Sequence, residues 1–230
     1  MITFYDPECN EGSKSLPPEE SRHALKSLRI RPNERFDVIN GKGLKIQATM
    51  LGSENGLVDY EIQNVQLFER PSPKLHMAVS PLKQADRFEY FIEKATELGV
   101  DQITPILCNR TEKPRIKKER LNRIIISALK QSGNAFLPKL NEIVAFSELV
   151  EKSTEDLKFV AHCEEENKIE LKDLRFNGDT IFLIGPEGDF NENEIKMAEV
   201  NDFKAISLGD LTLRTETAAL TVSSYFQLVK

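Results

Sequence analysis

The sequence contains no tryptophan, three cysteines and three histidines in 230 residues. No apolar run approaches the roughly 18 residues that a membrane span needs. The first residues, MITFYDPECNEGSK, lack the basic and apolar regions of a secretory leader, so a soluble, cytoplasmic protein is expected. Cys9, Cys108 and Cys163 are odd in number and widely spaced, which argues for free thiols and against a disulfide framework. His23, His76 and His162 form no spacing typical of metal ligands, and neighbouring His162 and Cys163 at a strand end point to opposite faces. No metal is therefore expected. What remains is an ordinary globular balance, 40% hydrophobic and 30% charged, enough for a real core in one large domain or two unequal ones.

The net charge of −6 conceals a division along the chain. Residues 1–70 carry 9 basic and 11 acidic side chains, residues 71–140 carry 13 and 7, and residues 141–230 carry 9 and 19. Two basic stretches stand out: Arg22, Lys26, Arg29, Arg31 and Arg35, and a second running from Arg110 through Lys113, Arg115, Lys117, Lys118 and Arg120 to Arg123. A polyanion responds to local potential over about a Debye length, so these stretches make a nucleic-acid partner compatible with an acidic chain. A solvated helix face is the competing reading of the second stretch.

Hydrophobic periodicity divides the chain near Pro71-Ser72-Pro73. Before it, strands are expected at 2–5, 35–40, 44–51 and 57–68, with one helix over 19–28; short strands with glycine-rich turns fit a small β-barrel. From Lys74 the rhythm is strand and helix in alternation. Strands are expected at 75–80, 102–108, 158–163, 180–184 and 204–208, and helices over 88–98, 117–131, 191–200 and 217–228. Such alternation implies an α/β domain built on a mostly parallel sheet covered on both faces. The expected division is 1–70 and 74–230, and the charged run Glu164-Glu165-Glu166-Asn167-Lys168 is expected to be a solvated loop.

Ligands of such sheets bind where strands end at their carboxyl termini. Two segments stand there, GPEGDF (185–190) and GDLTLRTETAAL (209–220). The first has glycines for close approach, Pro186 for stiffness, and Asn191 with Glu194 as a capping box for the next helix. It has Glu187 and Asp189 but no lysine, which suits hydroxyl, amino or sulfonium groups better than phosphate. The second places Arg214, Thr215, Glu216 and Thr217 before small Ala218 and Ala219 at a helix start. Tight turns with capping carboxylates are the structural alternative for both.

LIGPEGDF (183–190) with LGDLTLRTETAAL (208–220) resembles the signature of RsmE-type RNA methyltransferases, a SPOUT-class family. Upstream, Arg22-His23-Ala24-Leu25 through Pro32, the KATELGV segment ending at Val100, and Lys130-Gln131-Ser132-Gly133 resemble further elements of that family in the same order. The resemblance implies an N-terminal PUA-like β-barrel that holds RNA and a trefoil-knotted SPOUT domain that binds S-adenosylmethionine and forms a homodimer. The implied activity is methylation of N3 of a uridine in 16S ribosomal RNA, free or in the small ribosomal subunit. The donor site would comprise Leu183, Ile184, Gly185, Pro186, Glu187 and Gly188 with Leu208, Gly209, Leu213, Thr215, Thr217 and Ala218. Arg214 would stabilise the uridine anion or orient RNA, and Glu216 is the nearest candidate base unless it orients Arg214 or caps the final helix, while Arg22, Lys26, Arg29, Arg31, Arg110, Lys113 and Arg115 would meet RNA. The rival readings are a non-catalytic rRNA-binding or assembly protein of the same fold, and an enzyme acting on nucleotides.

Overall fold

Apolar strand residues in the first 70 positions form one face of a four-stranded sheet. The computed structural model describes residues 1–112, 116–164 and 167–230. In its N-terminal part, β1 (Ile2–Tyr5) is followed by α1 (Pro18–Arg22), a π-helical turn over His23–Leu28, β2 (Arg35–Ile39), β3 (Leu44–Glu54) and β4 (Leu57–Leu67). The strands lie in the order β1-β2-β3-β4, with β1 parallel to β2 and the other pairs antiparallel. The expected barrel is not closed by a β1–β4 ladder. Instead the chain leaving β1 returns along the far edge, where Tyr60 donates to the carbonyl of Lys14 and Leu16 to that of Val58, both at 2.9 Å. The inward positions Phe4, Phe36, Val38, Ile46, Met50, Val58 and Tyr60 make the core, with Phe36 edge-on to both Phe4 and Tyr60.

The remaining chain supplies β5 (Leu75–Val79), α2 (Ala85–Glu97), β6 (Gln102–Leu107), α3 (Lys118–Ser132), β7 (Lys139–Leu140), β8 (Val144–Ala145), α4 (Phe146–Lys152), β9 (Leu157–Ala161), β10 (Ile169–Glu170), β11 (Thr180–Ile184), α5 (Glu192–Val200), β12 (Lys204–Ser207) and α6 (Thr215–Val229). The sheet order is β10-β12-β9-β11-β5-β6-β7, with β8 also on β6, and every pairing is parallel. All five residues of β11 are buried, as a parallel strand covered on both faces requires. Ile181 and Leu183 join Phe146, Phe190, Ile195 and Phe203 on one face, while Phe182 stacks with Phe159 and meets Phe176 on the other.

Two compact units result: Met1–Arg70 with Ile126–Leu137, and Pro71–Ile125 with Pro138–Lys230. The second half of α3 and its exit thus belong with the N-terminal sheet. Lys130 pairs with the buried Glu20 at 2.8 Å, Gly43 donates to the Ala135 carbonyl, and Leu137 donates to that of Gly41. Elements that periodicity did not predict are β7, β8 and β10, of two residues each, the seven-residue α4 and the 3-10 turn Leu171–Asp173. Pieces this short carry no readable period.

Candidate active site

The register of the parallel sheet sets the site. Ile184 of β11 lies opposite Ala161 of β9, which lies opposite Ile206 of β12, so three strands end level. The chain segments that continue from them enclose a cleft of about 370 Å³. Its apolar floor is Ala161, Ile184, Ile206, Leu208, Leu213 and Ala218, and its polar wall includes Glu187, Asp189, Asp210, Lys168 and Arg214.

The first loop folds back on itself. Asp189 donates its amide to the Pro186 carbonyl at 2.9 Å, and the buried Phe190 ring returns over Gly185. A Cβ at Gly185 would lie 3.1 Å from that ring, tighter than ordinary contact, so a side chain there would require the ring to shift. Asp189 has a left-handed φ of 62°, and its carboxylate accepts from the Cys163 amide at 2.7 Å, joining this loop to the end of β9. Asn191 caps α5 with the expected box: its side chain accepts from the Glu194 amide and Glu194 accepts from its own, both at 2.9 Å. The second loop begins at Gly209, whose φ of +113° excludes most side chains, and is tied to the first by the Thr215 hydroxyl donating to the Gly185 carbonyl at 2.9 Å.

Of the residues expected to bind the donor, Ile184, Gly185, Pro186, Glu187, Leu208, Gly209, Leu213, Thr215 and Ala218 line the cleft, and Arg214 lines it as well. Leu183 does not, because strand alternation sends it into the core. Gly188 faces Arg110 instead. Glu216 and Thr217 also fall outside: on a helix with 3.6 residues per turn, Thr215 and Ala218 share a face that the two residues between them leave. Thr217 is exposed, and Glu216 is buried with Oε2 lacking a hydrogen-bond partner. Glu216 is thus not positioned as a base at the cleft. Sequence reasoning missed Ala161, His162, Cys163 and Lys168 as lining residues; the only clue was that 158–163 read as a strand of the same sheet.

Charge in the cleft is of both signs. Glu187 faces Arg87 of α2 at 3.5 Å, and the Lys168 ammonium donates to the His162 carbonyl at 2.5 Å. Partial burial, then the Asp189 carboxylate, raises the Cys163 thiol above its ordinary value, so it stays protonated at neutral pH. Burial and then Glu194 push the Cys108 thiol to about 12. Neither is an activated nucleophile. Among the described residues no group of three or more His, Cys, Asp or Glu could hold a metal ion, and no helix is long and apolar enough to cross a membrane.

The two basic stretches differ in what their side chains do. Arg22, Lys26, Arg29 and Arg31 are exposed around the π-helical turn, with Arg29 left-handed at φ 53°. In the second stretch, Arg120 makes a two-pronged pair with Glu89 at 2.5 and 2.7 Å, Lys118 pairs with Glu142, and Arg110 donates to the carbonyls of Gly188 and Phe190. These partners are distant in sequence, so counting local charge overstated the free positive potential there. Lys113 and Arg115, expected to meet RNA, lie outside the described residues, as do Glu165 and Glu166 of the acidic run.

An RNA methyltransferase domain family matches residues 68–227, and an RNA methyltransferase PUA domain family matches residues 16–62. "Ribosomal RNA small subunit methyltransferase E" of Mesomycoplasma hyopneumoniae (strain 232) is 30% identical over 226 residues, covering 96% of each chain. The crystal structure of a ribosomal RNA small subunit methyltransferase E from Neisseria gonorrhoeae, bound to S-adenosyl methionine, superposes with a TM-score of 0.88 at 32% identity, over 99% of this chain and 97% of that one. A "probable rRNA-methyltransferase" from Porphyromonas gingivalis gives 0.90 at 31% identity, over 100% and 98%. With both domain families matched in this order and the likeness extending over nearly the full length, the chain belongs to the RNA methyltransferase family, alongside proteins of the ribosomal RNA small subunit methyltransferase E type.

Proposed function

We propose that this chain methylates N3 of a uridine in 16S ribosomal RNA, with S-adenosylmethionine as methyl donor, and that it works in the cytoplasm as a homodimer whose C-terminal segments form a trefoil knot. The observation that carries the reading is the cleft at the level ends of β9, β11 and β12. Its volume falls in the range of small-molecule sites, on the order of 300–1,000 Å³.

The residues present suit the donor. An apolar floor from Ile184 to Ala218 accepts a purine, and the bare backbones of Gly185 and Gly209 permit close approach. Carboxylates of Glu187, Asp189 and Asp210 suit a sulfonium and an ammonium, and Lys168 suits a carboxylate. When bound, the donor supplies an electrophilic methyl carbon, so the transfer to nitrogen needs no metal. The chain's own residues do the rest. The two loops hold the donor in one orientation, which raises the fraction of encounters aligned for in-line attack. Arg214, exposed at the cleft and preceding the first turn of α6, places a guanidinium beside the N3 anion that forms, and so favours loss of the weakly acidic N3 proton to solvent water. Glu216 lies outside the cleft, and no base role is assigned to it.

Arg22, Lys26, Arg29 and Arg31 supply the RNA-facing surface of the N-terminal unit, an RNA-holding PUA-like domain over residues 1–70. Along α1 and the following turn, Ser21 and Ala24 are buried while Arg22 and Lys26 are exposed, which separates cations from core. Mass-spectrometric mapping of modified uridines in rRNA, from cells with and without this protein, tests the reading. One N3-methyluridine in 16S rRNA should disappear on deletion and return with the gene; an unchanged map would defeat it.

A further inference from the structure

The segment Cys108–Thr111, which follows β6, contacts the middle of the first loop through Arg110 and is tied to the chain on either side of that loop, through Ser80 before it and Glu194 after it. At the beginning, the Thr111 hydroxyl meets the Ser80 hydroxyl at 2.8 Å, and the Ser80 amide donates to the Ile184 carbonyl at 2.9 Å. At the end, the Asn109 amide donates to Glu194 Oε1 at 2.7 Å, while the other oxygen of Glu194 receives the Asn191 amide. In the middle stands Arg110. Its Nη1 donates to the Gly188 carbonyl at 2.7 Å and to that of Phe190 at 3.4 Å. Its aliphatic stem passes beside Gly188, where an added Cβ would be 3.4 Å from Arg110 Cδ. Thr111 stabilises this bracket by accepting the Cys108 amide at 2.8 Å.

We infer that Arg110 is a positioning residue that holds the GPEGDF loop in its donor-binding shape, and is not primarily an RNA contact. The inference rests on reading the cleft as the methyl-donor site. A guanidinium donating to carbonyls makes a stronger bond than a neutral group, and here Nη1 alone reaches two carbonyls of the turn. Asp189, between those two carbonyls, is left-handed, donates to the Pro186 carbonyl and accepts from the Cys163 amide, and Arg110 adds a charged tether at the carbonyls on either side of it. Without Arg110 the loop would sample more conformations, and donor binding would have to order it.

The test compares wild type, Arg110→Ala and Arg110→Lys in the full-length protein. With S-adenosylmethionine as titrant and as varied substrate, Arg110→Ala should raise the donor Kd and KM about tenfold or more, while kcat at saturating donor stays within a few-fold. Arg110→Lys keeps the charge and a donor nitrogen at the end of a differently shaped side chain, and should recover part of the loss. RNA affinity, and its dependence on salt, should be unchanged in both. The opposite pattern would overturn the inference: an unaltered donor Kd, a raised RNA KM, and a salt slope reduced by about one, as for a lost phosphate contact. Hydrogen exchange on the donor-free protein gives a readout independent of the donor-site reading. The Asp189 amide should exchange faster in Arg110→Ala, with β5 amides unchanged; equal exchange at Asp189 would defeat the clamp. If wild type fails to bind the donor while exchange at Asp189 responds as stated, the donor-site reading fails and the clamp stands. Should Arg110→Ala not fold, the Lys variant carries the same measurements, with a smaller rise in donor Kd expected and no rise counting against the clamp.

Discussion

Arg214 and Thr215 sit one residue apart and do different work. Thr215 is buried, and its hydroxyl on the Gly185 carbonyl fastens the two cleft loops to each other. Arg214 is exposed, has no side-chain capping bond, and lines the cleft with its charge available. Replacing a group that stabilises developing negative charge in an active site typically costs on the order of 100- to 1,000-fold in turnover. Arg214→Ala should therefore reduce kcat by roughly that factor and shift donor affinity far less. Single-turnover methylation beside calorimetry of donor binding separates the two, and undiminished turnover would remove Arg214 from the reaction. Glu216 shows the limit of reading residues singly: four polar residues in a row look like one constellation until the helix turns two of them away.

At the scale of elements, the end of the sheet opposite the cleft is held by a polar network. His76 of β5 meets Glu155, before β9, through Nδ1 and Thr104 of β6 through Nε2, each at 2.6 Å, and Asn141 donates to Thr104 at 2.6 Å. Burial raises the Glu155 carboxyl, but the hydrogen bond and charge of His76 outweigh it and leave the group below its ordinary value of 4.5. A depressed carboxyl contributes stability that is fully present above the unfolded value and is lost as pH falls through the folded one. Urea denaturation from pH 6 downward should show that loss begin near the ordinary carboxylate range, and Glu155→Gln should flatten this part of the profile while lowering stability at pH 6. An identical acid limb in the variant would show the pair to be uncoupled from folding. The strands and helices around the network were readable because β5, β6, β9 and β11 are apolar runs and α2 has its stripe at Phe88, Phe91, Ile92 and Ala95. The network itself was not readable, since its members are 28 and 79 residues apart.

For the whole molecule, the consequence of the unit boundaries is that a cut at the proline-rich junction does not yield a complete C-terminal piece. Ile126–Leu137 belongs with Met1–Arg70, and Ala128, Leu129 and Ala135 are buried in the intact chain. Lys130 would lose Glu20, and Phe136 would lose the Arg70 guanidinium 5.3 Å above its ring. A protein comprising residues 71–230 should therefore self-associate and unfold with reduced cooperativity, whereas one that is monodisperse and unfolds in a single sharp transition would show that the segment folds without its partner unit. Size-exclusion chromatography with thermal circular dichroism distinguishes these outcomes. Loss of methylation on such a truncation says little about RNA binding by itself, because the truncation also removes the packing of α3.

The sequence by itself determined what depends on neighbours in the chain: the strand–helix rhythm, the capping box at Asn191, the glycines at the two cleft loops and the polar run before α6. Periods, caps and turns are set within a few residues, so they are legible without any tertiary contact. Only the tertiary structure decided which cations are engaged, with Arg110 on a loop 78 residues away and Arg120 on a glutamate 31 residues away. It also decided that β9 contributes a wall to the cleft and that half of α3 belongs with the N-terminal sheet. Pairing of charges and closure of a cleft depend on distance in space, and a parallel sheet brings together residues that the sequence keeps far apart.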